Sequence, residues 1–335
     1  MGRAITYFFS AALVSAAGCV FGVLVTYFVQ GERMALALME AWVIRFNGIL
    51  VGAAGLGLLL FVWQSGKSTI ATLNSLLVIP DELVVEFARR MHRITSLKWA
   101  AMIVIPLSVI GGIVLWYAKF PLAGFARLYL TASVISVYVI ASSILAFYTY
   151  TILLFRYVED HSLYTKAKRP RFQLRCSFGS MDLQSIDSFF VVSATLGVLA
   201  IYLGFRGTLT ANFVGTTELF RKLMILPILL YLPATLCYSL YPRWVLRQVS
   251  ECDTLQLVDE FEEQTSLHKE KGFKANLALR AMILDVKEKI LNDRRSVPLL
   301  SLKDAPSLTM SIVIVLQFIA QKDTVVSEFF DKVFK

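Results

Sequence analysis

Of the 335 residues, 57% are hydrophobic and 17% charged, and the mean hydropathy is +0.65, a balance that excludes a mainly soluble chain. The formal charge of +9 fits either a nucleic-acid binder or a membrane protein whose Lys and Arg flank its spans, so the location of the charge decides between them. Residues 1–242 hold nineteen basic and ten acidic residues, and residues 243–335 hold fourteen of each, so the whole excess lies in the apolar part.

Six stretches of eighteen residues or more contain no Lys, Arg, Asp or Glu: 4–31, 46–66, 99–118, 128–155, 188–205 and 223–242. A charge near the bilayer centre costs about 2.5–3.5 kcal/mol on insertion scales. A helix crosses the hydrocarbon in about 20 residues, and each stretch is long enough. The expected fold is therefore all-α, a polytopic membrane helical bundle of about six transmembrane helices over 1–242, followed by a cytoplasmic helical module over 243–335.

The first run follows Arg3 and is too long for the apolar core of a signal peptide, so it is expected to be an anchor. Gly18 and Gly22 in the first run, and Gly48 and Gly52 with Gly57 in the second, are spaced for close helix packing. The second run ends in Gln64-Ser-Gly-Lys-Ser-Thr69, which resembles the end of a phosphate-binding loop. Phe61 stands where that loop requires glycine, and a membrane span precedes the segment instead of a soluble strand, so nucleotide hydrolysis is not expected. Lys67 reads as a membrane-end anchor.

Residues 68–97 form an amphipathic internal segment. Pro80-Asp81-Glu82 is a helix start, with acids near the positive end of the dipole. Leu83, Phe87, Met91 and Ile94 recur at helical spacing, and Arg89, Arg90 and Arg93 occupy another part of the surface. That pattern fits an interfacial helix or a cytosolic helix packed on the bundle. In the fourth run Ser136, Ser143 and Tyr150 stand seven residues apart on one face, with Ala132, Val139 and Ala146 between them. Several copies around an axis would place that face on a pore; hydrogen bonding between helices is the alternative.

The segment 156–187 carries the basic cluster Lys166, Lys168, Arg169, Arg171 and Arg175. Near a cytoplasmic membrane face it attracts anionic lipid by about 1 kcal/mol per charge, or binds an anionic cytoplasmic ligand. Pro227, Pro233 and Pro242 make the sixth run a candidate hinge, kinked or interrupted just before Arg243. In the tail, 245–268 and 273–292 read as helices. Asp304-Ala305-Pro306 is another helix start, followed by an apolar run to Ala320 that is short for a span and fits a buried or re-entrant helix. A last helix is expected over 324–334, covering an exposed apolar surface.

With the N-terminus in the cytoplasm, fourteen basic residues through Arg247 fall inside and seven outside, which favours cytoplasmic N- and C-termini. Short loops and the lack of processing signals point to a bacterial inner membrane. Cys19, Cys176, Cys237 and Cys252 show no paired spacing. His92, His161 and His268 lie in separate segments without metal-ligand spacing, and no nucleophile stands with a general base, so neither a metal, a cofactor nor an enzyme is expected. Acids are absent from the middle of the runs, which disfavours proton-driven transport.

The expected function is an oligomeric integral membrane protein acting as a channel or gated membrane effector controlled through its cytoplasmic tail. The alternative is a non-conducting scaffold or complex subunit recruiting a soluble partner through 243–335; a transporter ranks after both. Expected partners are the bilayer, anionic lipids and further copies of the chain. Nucleic acid is not expected, because aromatic stacking residues are sparse near the basic cluster.

Overall fold

The structure is a computed structural model, and it describes residues 2–45, 47–117, 122–162, 172–174, 181–210, 231–250 and 302–320, with 252, 281–282, 284–285 and 288. Helix α1 spans Gly2–Gln30, α2 Glu32–Leu38, α3 Gly48–Leu76, α4 Asp81–Thr95, α5 Leu97–Tyr117, α6 Gly124–Asp160 and α7 Met181–Thr210. Helix α8 covers 231–250 and α9 Ala305–Ala320. A π-helical segment, Met39–Arg45, follows α2, and two short strands, β1 (Leu77–Val78) and β2 (Gln173–Leu174), pair antiparallel.

Four helices are long and apolar enough to cross a membrane: α1 from Ala4, α3, α6, and α7 over Leu183–Gly204. Taken with α4, from which it bends by 51°, α5 makes a fifth. The bend has a local cause, because Ser96 between the two helices is extended (φ −86, ψ 123). The long apolar helices fit an integral membrane protein. Of the predicted sixth run, 223–230 lie outside the described residues, and 231–242 are the first part of α8.

Several packed helix pairs run in opposite directions. Gly52 of α3 lies against Ser15 of α1 while Gly57 lies against Phe8, so α1 and α3 are antiparallel. Trp99 meets Tyr150 and Gly111 meets Tyr138, which sets α5 against α6 in the same way. Gly197 meets Thr235 and Phe190 meets Tyr238, making α7 and α8 antiparallel. At one end of the bundle, termed the outer end after the expected topology, Leu38 and Trp42 are buried against Cys19, Ala126 and Leu130. Gln30 closes this end by accepting the Ala126 N–H at 2.8 Å and donating to the Ala123 carbonyl at 3.1 Å. The intervening Gly124 has φ +56, a conformation that favours glycine.

The main core fills the opposite, inner half with aromatic rings. Tyr148 and Tyr238 stack at 4.0 Å between centroids, and Phe147, Phe189 and Phe190 meet the stack or each other edge-on. Below this core, α4 lays Leu83, Phe87 and Ile94 into the protein, with Phe87 on Phe172 and Phe172 on Tyr157. Arg90 and Arg93 sit over the Tyr157 and Trp99 rings, each 4.5 Å from the centroid.

The internal segment predicted over 68–97 differs in extent. Helix α3 continues through Leu76, and the amphipathic helix is α4 alone. The polar residues after Lys67 lower hydropathy but leave the helical hydrogen bonds intact, so the span outruns its apolar run. The Gln64–Thr69 segment is accordingly helical, with Lys67 5.1 Å from the Trp63 ring centroid.

Candidate functional site at the inner end of the bundle

Helix α8 is continuous through 242 and 243, so the composition boundary between bundle and tail falls inside it. Tyr238, Val245 and Val249 share a buried face. Pro242 supplies no N–H to the carbonyl of Tyr238, yet the helix continues. On either side of this proline, two polar groups reach the neighbouring elements. The Tyr241 hydroxyl donates to the Glu159 carboxylate at the end of α6. Arg243 reaches α7 through Nε, 2.5 Å from Asp187 Oδ1, and the start of the α9 region through a terminal guanidinium nitrogen, 2.8 Å from Asp304 Oδ1.

Burial sets the energetics of this junction. The Arg243 side chain is 8% exposed, that of Asp304 3% and that of Asp187 32%. A planar guanidinium suits the role because its fixed N–H groups point to separate acceptors and its charge does not dissociate. Removing charges from water is costly, and here each buried charge faces an opposite one. Asp304 also precedes the first turn of α9, where negative charge complements the helix dipole.

Helix α9 lies along α7. Its buried positions, counting the preceding turn, are Asp304, Ser307, Ser311 and Ile314, three or four residues apart. Ile314 packs with Val198 of α7 and Leu232 of α8. The two serines donate to carbonyls of their own segment, Ser307 to Asp304 at 2.9 Å and Ser311 to Ser307 at 2.7 Å. Small residues with internally satisfied hydroxyls let α9 approach closely without presenting a polar demand to α7.

Toward the outer end, a cavity of about 150 Å³ lies among α3, α6, α7 and α8. Gly55, Ala141, Gly197, Ala200 and Thr235 are among its walls, and its lining carries no Lys, Arg, Asp or Glu. Helix α8 thus meets charged partners at one end and lines the apolar cavity at the other.

Within one chain, the residues of the predicted pore face, which needs several copies around an axis, hydrogen-bond to backbone carbonyls. Ser136 is exposed and donates to Ala132 O at 2.9 Å, and the half-buried Ser143 donates to Val139 O at 2.7 Å. The Tyr150 hydroxyl donates to the carbonyl of Trp99 on α5 at 2.9 Å. Among the packing glycines, Gly52 and Gly57 bring α3 against α1, whereas Gly18 and Gly22 receive Tyr129 of α6, whose hydroxyl donates to Gly18 O at 2.6 Å. Gly48 lies under the Trp42 ring.

Pro233 lies in the first turn described for α8; Pro227 lies outside the described residues. So do Lys166, Lys168, Arg169, Arg171 and Arg175, together with His268, Cys176, most of 253–301 and the predicted helix at 324–334. His92 is exposed, and His161 Nδ1 is 2.9 Å from the Tyr157 carbonyl. Among the described residues, no group of three His, Cys, Asp or Glu is placed to hold a metal ion.

The sequence reading named none of Asp187, Glu159 or Asp304 as a site residue. Asp187 and Asp304 each border an apolar run and Glu159 lies three residues past Arg156, which ends one, but no local spacing shows that the three share a partner helix. Comparisons with protein-family models, curated proteins and solved structures found no match for this chain.

Proposed function

We propose that this chain is a gated membrane effector, acting as an oligomeric ion channel of the bacterial inner membrane with both termini in the cytoplasm. Its C-terminal segment sets the state of the bundle. The observation that carries this reading is the buried Arg243, which ties the last bundle helix to Asp187 of α7 and to Asp304 at the docked tail helix.

The coupling has a physical basis. Withdrawal of Asp304 leaves Arg243 with a single acid and with charge to rehydrate, so a ligand that holds the tail differently in two states shifts α8 by its differential affinity. Helix α8 then acts on Tyr148 of α6 through the Tyr238 stack, and α6 also carries Ser136 and Ser143.

Purified protein in liposomes tests the reading. Voltage, tension or a cytoplasmic ligand is expected to elicit ion flux, and Asp304→Asn is expected to shift the stimulus needed. Ser136→Leu and Ser143→Leu are expected to reduce unitary conductance more than a lipid-facing control, and unchanged conductance in assembled variants removes that pore face.

A second reading, a non-conducting scaffold, is favoured by the engagement of the Tyr150 hydroxyl with Trp99, which occupies one end of the proposed pore face. Absence of flux under every stimulus, with one stoichiometric soluble partner retained through 243–335, would establish the scaffold instead.

A further inference from the structure

We infer that α9 is embedded in the hydrocarbon layer, with Thr309, Ile312, Val315 and Leu316 facing lipid acyl chains. Three observations carry this, none of which depends on conduction. The first is depth. Asp304 is level with Asp187 through their common partner Arg243, and Ile314 is level with Val198. Ten residues of advance from Asp304 thus match eleven on α7, so α9 runs parallel to a helix long and apolar enough to cross a membrane. At 1.5 Å per residue its sixteen residues reach about 24 Å from the junction, within a hydrocarbon layer of about 30 Å.

The second is the distribution of residue types, which is inverted relative to a helix in water. Polar Asp304, Ser307 and Ser311 point into the protein, whereas Ile312 is 58% exposed, Val315 46% and Leu316 59%. A water-facing helix places its apolar stripe inward and its charges outward, and no Lys, Arg, Asp or Glu occurs from 305 to 320. A lipid-facing helix has no reason to hide its apolar side chains; it packs through small residues, as α9 does on α7.

The third is the boundary itself. Cationic and aromatic residues cluster toward the same end of the bundle as the junction: Lys67 with Trp63, Arg93 with Trp99, and stacked Tyr241 and Trp244. Such belts mark a membrane–water interface. The exposed apolar face of α9 begins at this level and continues toward the bundle's middle, where the surrounding medium is hydrocarbon.

The test uses the full chain with its four cysteines replaced by serine, carrying a spin label at Ile312→Cys, Leu316→Cys or Lys303→Cys in liposomes. Labels at 312 and 316 should collide with dissolved oxygen and be protected from a water-soluble nickel chelate, and the label at the exposed Lys303 position should show the reverse. Equal nickel accessibility at 303, 312 and 316 would place α9 in water and overturn the inference. Low accessibility to both reagents at 312 and 316 would also overturn it, because protein would then cover the face; close spin–spin distances between copies would identify a second chain as the cover. Because the two positions are surface-exposed on α9, size-exclusion behaviour like that of the parent establishes that the labelled variants remain folded.

Discussion

Arg243 occupies a position where chemistry and location oppose each other: it is charged, nearly buried, and set on a helix whose other buried side chains include Tyr238, Val245 and Val249. Its two acids resolve the conflict, and Arg243 is the group whose loss costs most because Asp187 and Asp304 both lose its guanidinium at once. Arg243→Gln is expected to lower stability by about 3–5 kcal/mol, the range for breaking a buried pair. Asp304→Asn should cost several-fold more than Asp187→Asn, because the Asp187 carboxylate is about one-third exposed and water partly replaces its partner. The double variant Arg243→Gln/Asp304→Asn should cost less than the sum of its parts, since each single change already removes the interaction between the two groups. Unfolding in a single detergent by denaturant titration measures all four. Additive losses, or equal costs for the two Asp variants, would show that the junction is not the coupled cluster its distances describe. This part of the molecule was poorly legible in the sequence: Arg243 lies 61 residues from Asp304, and no local spacing encodes a pair at that separation.

At the scale of elements, legibility follows the physics of the bilayer. The charge-free runs locate α1, α3, α5, α6 and α7 because a charge in hydrocarbon is costly at any position in a span, so its absence is a long-range signal. The inner ends are less legible, since helical hydrogen bonding does not stop where hydropathy falls; α3 runs on past Lys67 to Leu76 and α8 past Pro242 to 250. The glycines were readable as sites of close approach but not as to what approaches: Gly57 meets backbone, whereas Gly22 meets the Tyr129 ring. That difference can be measured. A Cβ at Gly57 would stand 3.1 Å from Phe8 Cα, where no side-chain rotation relieves the clash, whereas one at Gly112 would meet nothing within 4 Å. Gly57→Leu is therefore expected to cost about 1–3 kcal/mol through separation of α1 from α3, and Gly112→Leu to stay within about 0.5 kcal/mol of the parent. The thermal midpoints of the two variants in the same detergent decide it, and similar values would mean that α1 and α3 do not pack through Gly57.

Across the whole molecule, the antiparallel order of the helices and the placement of charge determine one another. Lys67, Arg90, Arg93, Lys98 and Arg243 gather toward the end that also holds α4, the paired strands and the start of α9, whereas Arg33 and Arg127 lie toward the end closed by Gln30. On the proposed topology, which follows the positive-inside bias, the first end faces the cytoplasm. This topology requires α3 to separate Glu32 from Asp81, both exposed and each in the first turn of its helix. In intact cells expressing a cysteine-free chain, Glu32→Cys is expected to react with a membrane-impermeant maleimide, and Asp81→Cys to react only after the membrane is permeabilised. The reverse pattern would invert the molecule and place the Arg243 junction and the α9 entry on the outer side, which would leave the docking of α9 intact but remove the tail from cytoplasmic control. Reaction of both positions from one side would be more damaging, because α3 would then not cross and the antiparallel pair it forms with α1 would have to lie on a single face of the membrane.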